Sequence, residues 1–232
     1  MTLVYIISAP SGSGKSTLVN ELRKFVSNLD FSISYTTRAP RGSEQNGREY
    51  YFISRPEFDQ MVRRDEFFEH AEVFGHCYGT AKRFLTEAES GNHDLVLDID
   101  VQGAAQIKQK LPQAVSIFIL PPDRGTLEWR LRSRGLDTDA VIDRRLATAK
   151  REIENYDKYD YILVNDRLDQ SVDALKAIVL AERSRRSGAT PSAQDSRNLH
   201  LAEGCRLEEM RQEVRRILRS FEEGSSGTAS GF

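Results

Sequence analysis

Short apolar runs alternate with stretches of helical periodicity along most of this chain. Leu3-Val4-Tyr5-Ile6-Ile7 is an apolar run that ends in the glycine-rich segment Ser8 to Gly14, after which Leu18, Leu22, Phe25 and Val26 recur at helical spacing. Strand, tight turn and helix are the natural reading. Ser32-Ile33-Ser34-Tyr35 and Tyr50-Tyr51-Phe52-Ile53 read as short β pieces around a polar loop holding Pro40, Gly42 and Gly47. Ser54-Arg55-Pro56-Glu57 carries a capping box with an early proline, and Phe58, Met61 and Val62 continue it as a helix. Leu95 to Asp100, Val115 to Leu120 and Tyr161 to Val164 are β-rich apolar runs with helix-like sequence between them, the signature of buried parallel strands. Pro121-Pro122 stops the second run. Arginine-rich helical pieces follow around Leu127–Arg134 and Ala140–Tyr156, separated by Gly135, and Val172, Leu175, Ile178 and Val179 mark a later helix. This alternation predicts an α/β fold built on a parallel sheet.

The pattern changes near Ser184. Residues 184–198 are rich in Ser, Gly, Ala, Pro, Gln and Arg without periodicity and read as a linker. Residues 199–222 read as an amphipathic C-terminal helix, because Leu207, Met210, Val214, Ile217 and Phe221 fall at steps of three and four. At about two heptads the stripe either docks on the domain or supports weak pairing with a second copy. Residues 223–232 are Gly/Ser-rich and are expected to be a disordered tail.

Composition narrows the class without naming a chemistry. The 232 residues carry a net charge of -2, with 39% hydrophobic and 29% charged positions, which suits a compact enzyme domain. Near-neutrality gives no bulk attraction to nucleic acid or acidic membranes, so anions must be held by locally placed groups. Two cysteines, Cys77 and Cys205, exclude a disulfide framework or a four-cysteine zinc site. With no signal-peptide pattern and no apolar run long enough to span a bilayer, a cytoplasmic location is expected.

The sharpest local signal is Ala9-Pro10-Ser11-Gly12-Ser13-Gly14-Lys15-Ser16-Thr17, a P-loop with Ala9 where the strict pattern has its first glycine. Gly12 and Gly14 permit a backbone path that aims successive N–H groups at phosphate oxygens. The helix starting near Lys15 adds its positive end. In this pattern Lys15 reaches the β- and γ-phosphates, and the Ser16 hydroxyl ligates Mg²⁺. Ala9 fits if that position demands a small side chain rather than a positive φ. The loop alone does not choose a substrate, since P-loops serve many reactions.

A second anion site is suggested by Arg38 and Arg41 beside a proline-bounded turn, since forked guanidiniums suit phosphate. Tyrosine hydroxyls can donate to phosphate oxygens, and a carboxylate can accept from guanine N1–H and its exocyclic amine together. Each of these residues alone has a plainer reading: Tyr50, Tyr51 and Phe52 as strand packing, Glu69 and Glu72 as solvated charges, Asp98 or Asp100 as a cap, and the arginines from Arg130 to Arg151 as a solvated face. Their joint order is more specific. The Ala-Pro-Ser-Gly loop, Ser34 through Arg41, Asn46-Gly47, Tyr50, Glu69, Tyr78-Gly79-Thr80, Leu97-Asp98-Ile99-Asp100 with Gln102-Gly103, and Val164-Asn165-Asp166 together resemble the guanylate kinase family from about Leu3 to Arg183.

The resemblance implies a P-loop nucleoside monophosphate kinase fold over residues 1–183, with the P-loop at 9–16, a small GMP-binding β/α lobe at about 32–95 and a helical arginine-rich lid at about 124–156. It implies transfer from ATP to GMP, with dGMP as a further acceptor and Mg²⁺ as cofactor, in purine nucleotide metabolism. Arg38, Arg41, Tyr50 and Tyr78 would hold the GMP phosphate, and Ser34, Glu69, Thr80 and Asp100 would contact guanine. Asp98 would lie near the metal and act indirectly. Arg130, Arg134 and Arg145 match the lid arginines, and Asn165 and Asp166 the loop beside adenine. Lys15, Arg41, Arg134 and Arg145 are thereby the candidate catalytic residues. Cys77 departs from the family, standing where an aromatic is often found, and the chain after Ser184 exceeds the family's usual end.

No general base is needed, because the acceptor oxygen is already anionic near neutral pH; cations that offset repulsion between two polyanions carry the catalysis. The lobe and lid are expected to close over bound substrates and exclude water. Three other readings compete: a protein-binding guanylate-kinase-like module, a P-loop kinase for another phosphorylated acceptor, and a nucleic-acid-dependent ATPase. The intact Lys15 and Ser16 oppose the first, Glu69, Thr80 and Asp100 the second, and the charge balance the third. ATP and GMP are the expected partners of a monomer or weak homo-oligomer that engages neither nucleic acid nor membrane.

Overall fold

The computed structural model describes residues 2–73, 75–135 and 137–223. In chain order the elements are β1 (Val4–Ser8), α1 (Lys15–Phe25), β2 (Leu29–Phe31), β3 (Tyr35–Thr36), β4 (Tyr51–Phe52), α2 (Arg55–Arg63), β5 (Phe67–Val73), β6 (His76–Ala81), α3 (Arg83–Gly91) and β7 (Asp94–Asp98). They continue with α4 (Val101–Lys110), β8 (Val115–Leu120), α5 (Arg124–Arg132), α6 (Asp139–Ile153), β9 (Tyr161–Val164), α7 (Leu168–Ser187), α8 (Ala193–Glu203) and α9 (Leu207–Glu223). Two units emerge: Met1–Ile7 with Ser27–Val115, and Ser8–Val26 with Ser116–Phe232.

In the first unit β7 pairs in parallel with β1 and with β2, in registers such as Ile6↔Leu97 and Phe31↔Val96. Leu95, Val96 and Leu97 are buried on both faces, which explains why this strand is uninterrupted by polar residues. A second sheet runs in the order β4-β3-β6-β5, antiparallel except for β3 with β4. The expected strand at Ser32–Tyr35 is displaced: Ser32 to Ser34 lie between β2 and β3. Ser32 N–H still bonds to Val96 O at 3.0 Å, so this stretch is the crossing between two sheets rather than part of either. The capping box forms as the sequence dictates, with Ser54 and Glu57 exchanging side-chain and backbone bonds at the head of α2.

In the second unit β8 and β9 pair in parallel, Ile117↔Tyr161 through Leu120↔Val164, and every residue of β8 is buried. Helix α9 buries Val214, Ile217 and Phe221 against α5, α6 and β9. Arg124 N–H donates to Ser220 Oγ at 2.9 Å, and Arg216 Nη2 to Pro122 O at 3.3 Å. The stripe read from the sequence therefore docks within its own unit. Stretch 184–198 differs from its reading as a linker, since α7 continues through Ser187 and α8 begins at Ala193. The single C-terminal helix expected over 199–222 is likewise two helices, broken near Gly204. Packing of α8 on α7 stabilises a segment without its own periodicity, and Ser192 caps α8 in a capping box with Asp195. Between α8 and α9 the chain lines the edge of β9, where Ile162 N–H donates to Cys205 O at 2.8 Å and Leu207 N–H to Asp160 O at 3.2 Å. The expected tail after Glu223 lies outside the described residues. Among those described, no helix is long and apolar enough to cross a membrane.

Candidate active site

The glycine-rich loop belongs to the second unit. Gly12 and Gly14 adopt φ of 95° and 90°, and the only described non-glycine residues with positive φ are Asn28, Asp65 and Asn92. Ala9 therefore carries no left-handed backbone, which is why alanine is tolerated there. Ser13 N–H closes a turn on Pro10 O at 3.1 Å, and Gly14 serves as N-cap of α1 without a side-chain capping bond. The first turn of α1 carries no acidic residue, so the positive end of the helix meets no protein carboxylate within its own turn.

Asn165, at the end of β9, is buried and donates from Nδ2 to Ser13 O at 2.8 Å. A Cβ on Gly14 would overlap this same amide nitrogen. The two residues thus fix the loop's inner turn together. Asn165 O accepts from Arg130 Nη2 at 2.9 Å, linking α5 to the loop, while the buried Arg130 Nη1 makes no hydrogen bond within the protein. Burial lowers the Arg130 pKa, with Asp166 and Asp123 opposing it. Arg145 in α6 is mostly buried, pairs with Asp137 at 3.3 Å and approaches Ser11 Oγ at 3.5 Å. Arg134 lies exposed just beyond α5, and Lys15, Ser16 and Thr17 occupy the first turn of α1. Asp166 is exposed beside Asn165.

The first unit gathers the other set. Glu69 on β5 is buried and accepts from the hydroxyl and backbone N–H of Thr80 on β6. Thr80 Oγ1 lies 3.5 Å from Ser34 Oγ, so three of the expected guanine contacts form one buried polar cluster. Asp100 joins them as N-cap of α4, accepting from Gly103 N–H at 2.9 Å. Burial pushes the Glu69 carboxyl up to about 7; Asp100 pushes the same way, while the Thr80 bonds and Lys110 oppose it. Asp98 ends β7, two residues before Asp100.

Arg38, Tyr50 and Tyr78 also meet. The Arg38 guanidinium stands 5.4 Å from the Tyr50 ring centre, Tyr50 packs edge-on against Tyr78 at 5.9 Å, and Tyr78 bonds to Arg38. Arg41 is exposed in the adjoining loop. Sequence reasoning missed Glu44, which receives Arg38 Nη2 at 2.9 and 3.0 Å and the Arg41 N–H at 2.8 Å, bracketing both arginines. Its position three residues after Arg41 was the available signal. Cys77 packs with Phe58 and Phe67, an apolar role that leaves neighbouring Tyr78 in place.

Among the described residues no cluster of three or more His, Cys, Asp or Glu could cage a metal ion. The Ser16 hydroxyl, in the first turn of α1, is a hard oxygen donor of the kind Mg²⁺ accepts.

A P-loop after a buried strand, two arginine-bearing helices and a second, largely antiparallel sheet fit a P-loop nucleoside monophosphate kinase fold. The guanylate kinase family profile matches residues 1–182. A guanylate kinase of Koribacter versatilis is 61% identical, covering 96% of this chain and 97% of that one. That of Escherichia coli K12 is 49% identical over 79% of this chain and 90% of its own. The crystal structure of guanylate kinase from Anaplasma phagocytophilum superposes with a TM-score of 0.65 at 35% identity, over 78% of this chain and 86% of that one. The chain belongs to the guanylate kinase family, whose members are ATP-dependent nucleoside monophosphate kinases.

Proposed function

We propose that this chain transfers the terminal phosphoryl group of ATP to GMP, giving ADP and GDP. The observation that carries the reading is the buried cluster of Glu69, Thr80 and Ser34, with the half-buried Asp100 beside it. Ionised Glu69 offers two acceptors to guanine N1–H and its 2-amino group, and adenine presents no such pair of donors. Arg38, Arg41, Tyr50 and Tyr78 hold the GMP phosphate, with Glu44 keeping Arg38 oriented before substrate arrives.

On the donor side, the N–H groups from Ser11 to Thr17 and the Lys15 ammonium cradle the ATP phosphates. Arg130, Asn165 and Asp166 border the adenine. Mg²⁺ would be carried by the nucleotide phosphates with the Ser16 hydroxyl as a ligand and Asp98 acting indirectly, and would supply charge neutralisation. A GMP phosphate oxygen bonds to the γ-phosphorus as the bond to the β–γ bridging oxygen breaks, and ADP leaves. No proton has to be removed from the nucleophile. Lys15, Arg41, Arg134 and Arg145 stabilise the charge that shifts toward the leaving oxygen.

The test is ADP release coupled to a dehydrogenase readout, with Mg·ATP and GMP, dGMP, AMP, CMP or UMP as acceptor. Turnover with GMP and dGMP, and none with the other three, is expected. ATP consumption independent of any monophosphate would overturn the reading.

A further inference from the structure

Glu69 is held from a direction that the base-reading residues do not supply. Gly103, Gln106 and Lys110 recur at steps of three and four on α4, one helix face. Gln106 engages the His70 backbone with both ends of its amide: Oε1 accepts from His70 N–H at 3.3 Å, and Nε2 donates to His70 O at 2.7 Å. Lys110 Nζ donates to Phe68 O at 2.6 Å. The backbone is therefore tied to α4 on either side of Glu69. The tie falls where β5 slips register, between the Phe67↔Ala81 and Glu69↔Thr80 pairs.

Gly103 is the first residue of that face, one turn before Gln106. A Cβ there would lie 2.5 Å from Glu69 Oε2, 2.9 Å from its Cδ and 3.3 Å from Asp100 Oδ1. Gly103 is not among the residues with positive φ, so the backbone itself would accept alanine. Only the close approach of the carboxylate requires glycine. The atoms that would have to give are the far end of a flexible side chain, which moves at less cost than the backbone.

We infer that Gly103 and Gln106 are specificity-determining positioning residues: they seat the Glu69 carboxylate beside Asp100, and the seat sets discrimination for the 2-amino group of the purine. The inference rests on the proposed acceptor site. Gly103→Ala swings the carboxylate away while improving helix propensity. Gln106→Ala frees the His70 backbone and loosens the same side chain from behind.

Steady-state kinetics with GMP and with IMP, which lacks the 2-amino group, test the inference in wild type and both variants. Gly103→Ala is expected to raise the KM for GMP at least about tenfold, to narrow the preference for GMP over IMP, and to leave the KM for ATP unchanged and the melting temperature at or above wild type. Gln106→Ala is expected to shift the GMP KM in the same direction by a smaller factor. In a Glu69→Gln background Gly103→Ala should add little, because both act on one group. A GMP KM within about twofold of wild type in Gly103→Ala, additive effects with Glu69→Gln, or failure of Gly103→Ala to fold would each overturn the inference. Wild type inert toward GMP would instead sink the proposed function.

Discussion

Glu69 is where stability and selectivity conflict, and replacing it with glutamine exposes both. Its carboxyl rises from 4.5 to about 7, chiefly through burial. Because the folded protein holds this proton more tightly than the unfolded chain, folding stability falls as pH rises from about 4.5 to about 7. At about 1.4 kcal/mol for each pH unit, the ionised carboxylate costs about 3 kcal/mol at pH 8. Glu69→Gln removes that cost but weakens one of the two Thr80 bonds, worth about 1 kcal/mol, for a net gain of about 2 kcal/mol. At pH 5 the gain should nearly vanish, since wild type is then largely protonated at this site. The amide meets one guanine donor with a donor of its own, so the GMP KM should rise at least about 100-fold. Urea unfolding at pH 5 and pH 8, with initial rates on GMP, makes the comparison. A variant less stable than wild type at pH 8, or a GMP KM changed less than about tenfold, would refute the reasoning.

Three further outcomes follow from the same geometry. Gly14→Ala imposes a side chain at φ 90° and against the Asn165 amide, so ATP-dependent turnover should drop by at least about 100-fold while GMP binding by equilibrium dialysis is retained. Arg41→Ala should lower kcat/KM for GMP by about 10³- to 10⁵-fold, or about 4–7 kcal/mol of barrier, measured in the coupled assay. Phe221→Ala empties a buried position of α9 and should destabilise the chain by about 3–5 kcal/mol in urea titration.

Local features are the legible ones. The P-loop is contiguous, so strand, turn and helix announce themselves, and the Ser54–Glu57 box marks the start of α2 through bonds made within four residues. Buried runs reveal β7, β8 and β9 because parallel strands are apolar on both faces. What the pattern hides depends on approach between distant segments. The overlap of Gly103 with Glu69 joins α4 to β5, and Asn165 reaches across the second unit to Ser13. Glu44 is easily passed over because an acidic residue beside two arginines contradicts the idea of a phosphate site until its orienting role is seen. The helices in 184–203 form by packing on α7 rather than by their own pattern, although the Ser192–Asp195 box is a local signal for the start of α8.

The central claim is selective transfer to GMP, and competition tests it most directly. ATP labelled at its γ-phosphate is incubated with the enzyme and equal concentrations of GMP, AMP, CMP and UMP, and the products are separated by chromatography. Label should appear in GDP alone. Label in inorganic phosphate, or spread over the other diphosphates, would contradict the account.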